Sequence, residues 1–192
     1  MINTKTIQAL NNFDTLAKTN KIIYSICGEN LYDIVNNNNI STNQNFKIAL
    51  KFNDFLELKF KYKDQFLFSN FSIDKTFLPY YKYNGVILNI QLLVPTSEKK
   101  YRTLNAKKIY KQLTNKPSFF YFLPSKKTIE ISYLIDLVYE RNPEFWTIID
   151  DNQDIFLKEI DFINFDRYEV LSIENENYPY LLEIYNLYDN KN

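Results

Sequence analysis

Apolar residues at Ile7, Leu10, Phe13, Leu16 and Ala17 recur at helical spacing, so Thr4–Thr19 is predicted to be an amphipathic helix capped near Asn3 or Thr4. Asn20 ends that pattern, and the β-branched stretch Lys21–Cys27 is predicted as a buried strand. A short helix is expected over Glu29–Val35, a loop over Asn36–Asn39 and a second strand over Phe46–Leu50. Asn53–Leu58 suits one or two helical turns, and Lys59–Phe71 alternates as extended chain does. Val86–Val94, bounded by Gly85 and Pro95, is the clearest central strand.

Further along, Thr103–Leu113 and Thr128–Glu140 carry helical patterns, separated by an aromatic stretch at Phe119–Phe122 between Pro117 and Pro124. Ile155–Phe165 and Arg167–Ile173 read as a pair of strands, and Tyr178–Leu187 as a closing helix. Nothing marks a linker or an internal repeat, so residues 1–192 are expected to form a single α+β domain. Its small mixed β-sheet is flanked by helices.

Composition narrows the chemistry. The 192 residues hold no His, one Cys and two Gly, with 23 basic against 23 acidic side chains. Without His, the commonest general base, the commonest metal ligand and every Ser-His or Cys-His pair are excluded. One Cys excludes an internal disulfide and a multi-Cys zinc site, and two Gly exclude a glycine-rich phosphate loop. Zero net charge argues against broad nucleic-acid binding. No apolar run reaches the roughly 18 residues of a membrane helix, and Met1–Asn20 lacks a signal-peptide core, so a cytoplasmic protein is expected. Asn, Lys, Ile, Tyr and Phe exceed half of the chain, as an AT-rich genome tends to write.

The first fifty positions carry a resemblance. Tyr24-Ser25-Ile26-Cys27-Gly28-Glu29-Asn30-Leu31, then Ile34, Ile40 and Asn43-Gln44-Asn45-Phe46-Lys47-Ile48, resembles the opening of the LicD/fukutin-like family of the nucleotidyltransferase superfamily. That pattern runs strand, Gly-Gly-Thr-Leu-Leu-Gly, a helix ending in Arg, a loop, then Pro-Trp-Asp-Asp-Asp-x-Asp-Ile. With Gly28 taken as the second Gly, the spacing matches without a gap. At the other end, Asp154-Ile155-Phe156, Ile160-Asp161-Phe162, Tyr168–Ile173, Tyr180-Leu181 and Tyr185-Asn186 are similar to the family's closing pattern. The resemblance implies a minimal nucleotidyltransferase-like fold. It also implies transfer of a phospho-alcohol from a CDP-linked donor, with a divalent ion held by the acidic triplet and a later Asp.

The residues that would hold the ion differ. The acidic run reads Asn43, Gln44, Asn45 with Lys47 at its last Asp, and Asn89 stands at the later Asp. Phe46–Leu50 and Val86–Val94 are therefore expected side by side, with Asn45 and Asn89 facing one cleft. The helix-ending Arg is Val35 and the last Gly of the turn is Tyr32. Magnesium needs carboxylate oxygens whose charge offsets its dehydration. Each missing carboxylate at ~4 Å forfeits about 4 kcal/mol at an effective dielectric of 20, and Lys47 adds repulsion. The expectation is therefore no catalytic residue, no bound metal and no cofactor. Magnesium enters only if the chain is an active transferase.

The remaining signals have two readings each. Asn43–Asn45 with Lys47 would hold phosphates through amides and an ammonium, or form a polar turn. Gly28, Glu29 and Asn30 are the expected phosphate or ligand contacts, while Glu29 and Asp33 also suit the first turn of a helix. Lys59, Lys61 and Lys63 interleaved with Phe60, Tyr62, Phe66, Phe68 and Phe71 would grip single-stranded nucleic acid or guard a sheet edge. Asp150, Asp151 and Asp154 form an acidic loop, Cys27 a small buried hydrophobe, and Trp146 a packing anchor. The favoured function is an inactive LicD-type relative that binds or scaffolds another protein, with a nucleotide in the degenerate cleft as a further expected ligand. The alternatives are an active transferase using Glu29, Asp33 or Asp54 as relocated acids, and an unrelated viral or partner-neutralising module of the host cytoplasm or virion.

Overall fold

The computed structural model describes residues 4–37, 46–67, 79–103, 135, 139–149, 157–161 and 167–189. The expected helices Thr103–Leu113 and Thr128–Glu140 fall mostly outside them, as do Phe119–Phe122, Asp150, Asp151 and Asp154. No helix among the described residues is long and apolar enough to cross a membrane.

Helix α1 (Thr4–Thr19) buries Ile7, Ala9, Leu10, Phe13 and Ala17, the stripe its spacing predicts. It closes in a Schellman turn: the Ile22 N–H donates to the Ala17 carbonyl at 2.9 Å and the Lys21 N–H to the Lys18 carbonyl at 3.1 Å. Lys21 takes φ 55°, the left-handed position. The expected strand Lys21–Cys27 is accordingly shorter, and β1 spans Tyr24–Cys27 with every side chain buried. Next come α2 (Glu29–Asn37), β2 (Lys47–Lys51) and α3 (Phe52–Lys61). Helix α2 absorbs Asn36 and Asn37 from the expected loop.

Two readings of the middle segment change. Lys59–Lys61 continue α3, because Phe55 and Leu58 at three-residue spacing are both buried and Lys61 pairs with Glu57 one turn back. Only β3 (Phe66–Leu67) is extended there. Unforeseen, β4 (Tyr80–Tyr83) turns back through Asn84 (φ 46°) and Gly85 (φ 82°) into β5 (Val86–Thr96). That two-residue loop with both φ positive is the hairpin geometry that Asn-Gly favours.

Helix α4 (Glu98–Thr103) precedes β6 (Phe145–Ile149) and β7 (Leu157–Asp161), and then β8 (Tyr168–Ile173) and β9 (Glu176–Leu181). The chain closes in α5 (Leu182–Asp189). The expected closing helix Tyr178–Leu187 thus begins four residues late, its first turn being strand with Pro179 on it. Strands β7 and β8 are not partners: β7 pairs with β6, and β8 with β9.

Among the described residues, seven strands form one mixed sheet, β1-β2-β5-β4-β3, with β6 and β7 continuing from β5. Only β2 and β5 run parallel. Asn89 pairs with Lys47 on one side and with Tyr80 on the other, so β5 is central. Leu92 and Leu93 pair with both β2 and β6, which places β6 after β4 along the same edge of β5. The molecule is an α+β fold around this mixed sheet. One sheet face carries Tyr24, Ile26, Ile48, Leu50, Tyr81, Leu88 and Ile90, all buried. Phe13 of α1 sits over it, with ring centroids 5.0 Å from Tyr24 and 5.4 Å from Tyr81. The opposite face positions the candidate site.

Candidate functional site

Directly opposed residues on neighbouring strands share a sheet face. One aligned row therefore crosses four strands: Cys27 of β1, Lys47 of β2, Asn89 of β5 and Tyr80 of β4. Ser25, Ala49 and Gln91 form the next row. This face is polar at its centre, since Asn89 and Gln91 are buried amides in an otherwise apolar strand.

Gly28 stands at the end of this row. Its φ of +83° is the left-handed conformation that follows β1 and opens α2. A Cβ there would lie 3.3 Å from Lys47 Cδ and 3.5 Å from Lys47 Cβ, so the lysine stem runs across the glycine turn. The Gly28 carbonyl accepts from the Leu31 N–H at 3.1 Å, winding the first turn of α2. Within that turn Glu29 is exposed and Asn30 is buried.

The expected site residues thus divide. Lys47, Asn89 and Gly28 come together, with Glu29 and Asn30 on the following turn; Asn43, Gln44 and Asn45 lie outside the described residues. Of the expected relocated acids, Glu29 and Asp33 lie one turn apart on α2 and Asp54 on α3, and no group of three or more His, Cys, Asp or Glu suited to a metal occurs among the described residues. Burial pushes the Asp54 carboxyl up, a shift that the Lys51 charge opposes and Glu57 reinforces.

The Lys-aromatic segment is not one continuous strand. Lys59, Phe60 and Lys61 are helical, Phe66 is fully buried in the core and Tyr62 half-buried. Phe60 is 76% exposed, with the Lys63 ammonium 5.4 Å from its ring centre, while Phe68 and Phe71 lie outside the described residues. Burial depresses the Lys59 ammonium. Trp146 is half-buried, and the Lys51 ammonium stands 5.3 Å over its ring.

Tyr80 and Gln91 belong to the site and sequence reasoning missed them. The signal for Tyr80 was Asn84-Gly85: a two-residue hairpin there pairs Tyr83 with Val86 and, three steps on, Tyr80 with Asn89. Comparison with protein-family models, with curated proteins and with solved structures finds no match for this chain.

Proposed function

We propose that the chain is a degenerate LicD/fukutin-like domain of nucleotidyltransferase fold that binds rather than catalyses. The observation that supports this reading is the pairing of Lys47 with Asn89 on parallel strands. In the resemblance, those two positions are the acids that share a divalent ion. An ammonium beside an amide does not suit such an ion: one repels it, and the other lacks the charge that makes dehydration favourable. The residues present do not fit the metal. What the row offers instead is a polar, cationic patch in which half-buried Lys47 and Tyr80 flank the buried Asn89 amide. A partner protein or a ligand engaging that surface is the function we assign.

Calorimetry tests the reading. The natural protein is expected to give no heat with Mg²⁺ or Mn²⁺, whereas a variant with Asn43, Asn45, Lys47 and Asn89 all changed to Asp gains binding. Millimolar or tighter binding by the natural protein, abolished by Asn89→Ala, overturns it.

A further inference from the structure

We propose that the outer edge of β8 pairs with the same edge of a second copy of this chain, in a two-fold dimer centred on Val170. The surface belongs to the two-stranded sheet and uses no residue of the Lys47–Asn89 row. Its geometry follows from the β8–β9 hairpin. Ile173 and Glu176 close a two-residue loop in which Glu174 (φ 49°) and Asn175 (φ 72°) both have positive φ, so those closing residues form a hydrogen-bonded pair. Bonded and non-bonded pairs alternate from there along an antiparallel ladder. Ile173, Leu171 and Glu169 therefore turn their backbone groups toward β9, and Ser172, Val170 and Tyr168 turn theirs away. Two observations on β9 agree with this count. Pro179, which has no N–H to give, falls opposite Val170 at a non-bonded pair. The Leu181 N–H, opposite Tyr168, leaves the hairpin and donates to Ser25 Oγ.

The two edges of the hairpin are treated differently. The β9 edge carries Pro179 and is tied to β1 through Ser25. The β8 edge has no Pro, no Lys and no break in register, the devices that ordinarily blunt an edge. Its one charged side chain, Glu169, accepts from the Tyr180 hydroxyl and so reaches across β9 rather than over the edge. Tyr168 and Val170 are 55% and 60% exposed, two residues apart on one face. Among the described residues, no backbone hydrogen bond joins β8 to anything but β9.

The symmetry of the edge identifies its occupant as a second copy. The outward set of Tyr168, Val170 and Ser172 is centred on Val170, so a two-fold axis there returns the set onto itself. Val170 meets the partner's Val170 and Tyr168 meets the partner's Ser172, with about six backbone bonds formed. Charge selects the same register. An axis at Glu169 would oppose two carboxylates, and one at Leu171 would carry Tyr168 past the strand to face Glu174 of the turn. With the axis at Val170, Glu169 lies opposite the partner's Leu171 and no like charges meet. A two-fold contact uses one surface on both copies, so it closes at two chains. Pairing of two such short strands is a small interface, and the dimer is accordingly weak.

Sedimentation equilibrium of the full chain between about 1 µM and 1 mM tests the proposal, and a reversible monomer–dimer equilibrium is expected. Val170→Lys changes an exposed side chain and should weaken the dimer about tenfold or more with circular dichroism unchanged. Val170→Pro removes an outward N–H and no bond to β9, and should act likewise. Disulfide trapping reads the register, the natural Cys27 being buried. Val170→Cys is expected to give a covalent dimer under mild oxidation. Tyr168→Cys is not, because its two copies would stand about 14 Å apart along the strands. A monomer at every concentration, a dimer unaffected by Val170→Lys, or trapping by Tyr168→Cys as efficient as by Val170→Cys overturns the proposal.

Discussion

The Tyr178 hydroxyl donates to Asn11 Oδ1 across 167 positions of sequence, fastening β9 to α1. Two neighbours repeat the device. Tyr81 of β4 donates to Asn12 Oδ1, and Tyr24 of β1 to Asp14 Oδ1 at 3.0 Å. Polar positions within a single turn of one helix thereby read three strands from two sheets. Tyr178→Phe leaves the Asn11 oxygen without its donor, and a loss of about 1 kcal/mol is expected. Urea denaturation measures it, and a change below the error of the method would mean that the contact contributes nothing.

Alkaline pH acts on the same phenols. Burial, reinforced by Glu176, Asp14 and Glu174, pushes Tyr178 up to about 12, and burial with the Glu169 hydrogen bond pushes Tyr180 up to about 12. Tyr24 and Tyr81 are raised as well, chiefly by burial. In the unfolded chain these groups ionise near pH 10. The folded state then holds protons that the unfolded state has released. Stability is therefore full below about pH 10 and falls through the window from about 10 to 12. Thermal midpoints across that window should drop, and less steeply in Tyr178→Phe.

Gly28 and Gly85 have nearly the same φ, +83° and +82°, but differ in their surroundings. A Cβ at Gly28 meets Lys47 at 3.3 Å, and one at Gly85 meets nothing within 4 Å. Gly85→Ala should cost about 1 kcal/mol from left-handed backbone strain alone. Gly28→Ala adds the displaced lysine stem and should cost about 2 kcal/mol. Equal costs in chemical denaturation would show that the lysine yields freely.

Lys21 occupies the left-handed end of α1 that glycine fills best. Lys21→Gly keeps both backbone bonds of the turn and relieves the side-chain strain. It should raise stability by about 0.5–1 kcal/mol, read as a higher melting temperature.

Thr147 is fully buried and its hydroxyl has no hydrogen-bond partner among the described residues. Thr147→Val keeps the shape and removes a desolvated polar atom, so a gain of about 1 kcal/mol is expected. A loss would reveal a bound water that the hydroxyl serves.

Much of this arrangement was legible in the chain. The stripe Ile7–Ala17 marks the bounds of α1, and the apolar run Val86–Val94 marks the central strand, because burial on one helical face or both sheet faces leaves a periodic trace. The adjacency of β2 and β5 matches the expectation for Phe46–Leu50 and Val86–Val94, and it brings Lys47 opposite Asn89. Elements whose partners are remote leave weaker traces. Strand β9 reads as helix because Tyr180, Leu181, Ile184 and Tyr185 have helical spacing, although Pro179 argues for an edge strand. Lys59–Lys61 reads as strand because Lys and aromatic residues alternate, although period two over three residues cannot outweigh a helix already running from Phe52. Tyr80 was missed for want of using the Asn-Gly turn.

Ser25 carries a consequence for biogenesis. Its hydroxyl accepts from the Leu181 N–H at 2.9 Å and donates to the Ile26 carbonyl at 2.7 Å, linking groups 156 positions apart. During synthesis, β1 can find α1, β2 and β5 early, yet the acceptor on Ser25 waits for residue 181 to be made. Until then the nascent chain holds a half-covered strand at its sheet margin, the kind of surface on which chaperones act and chains cross-pair. Closure of β1 by β9 makes the synthesis of residue 181, rather than the packing of α1 on β1 and β2, the step that completes this margin of the fold.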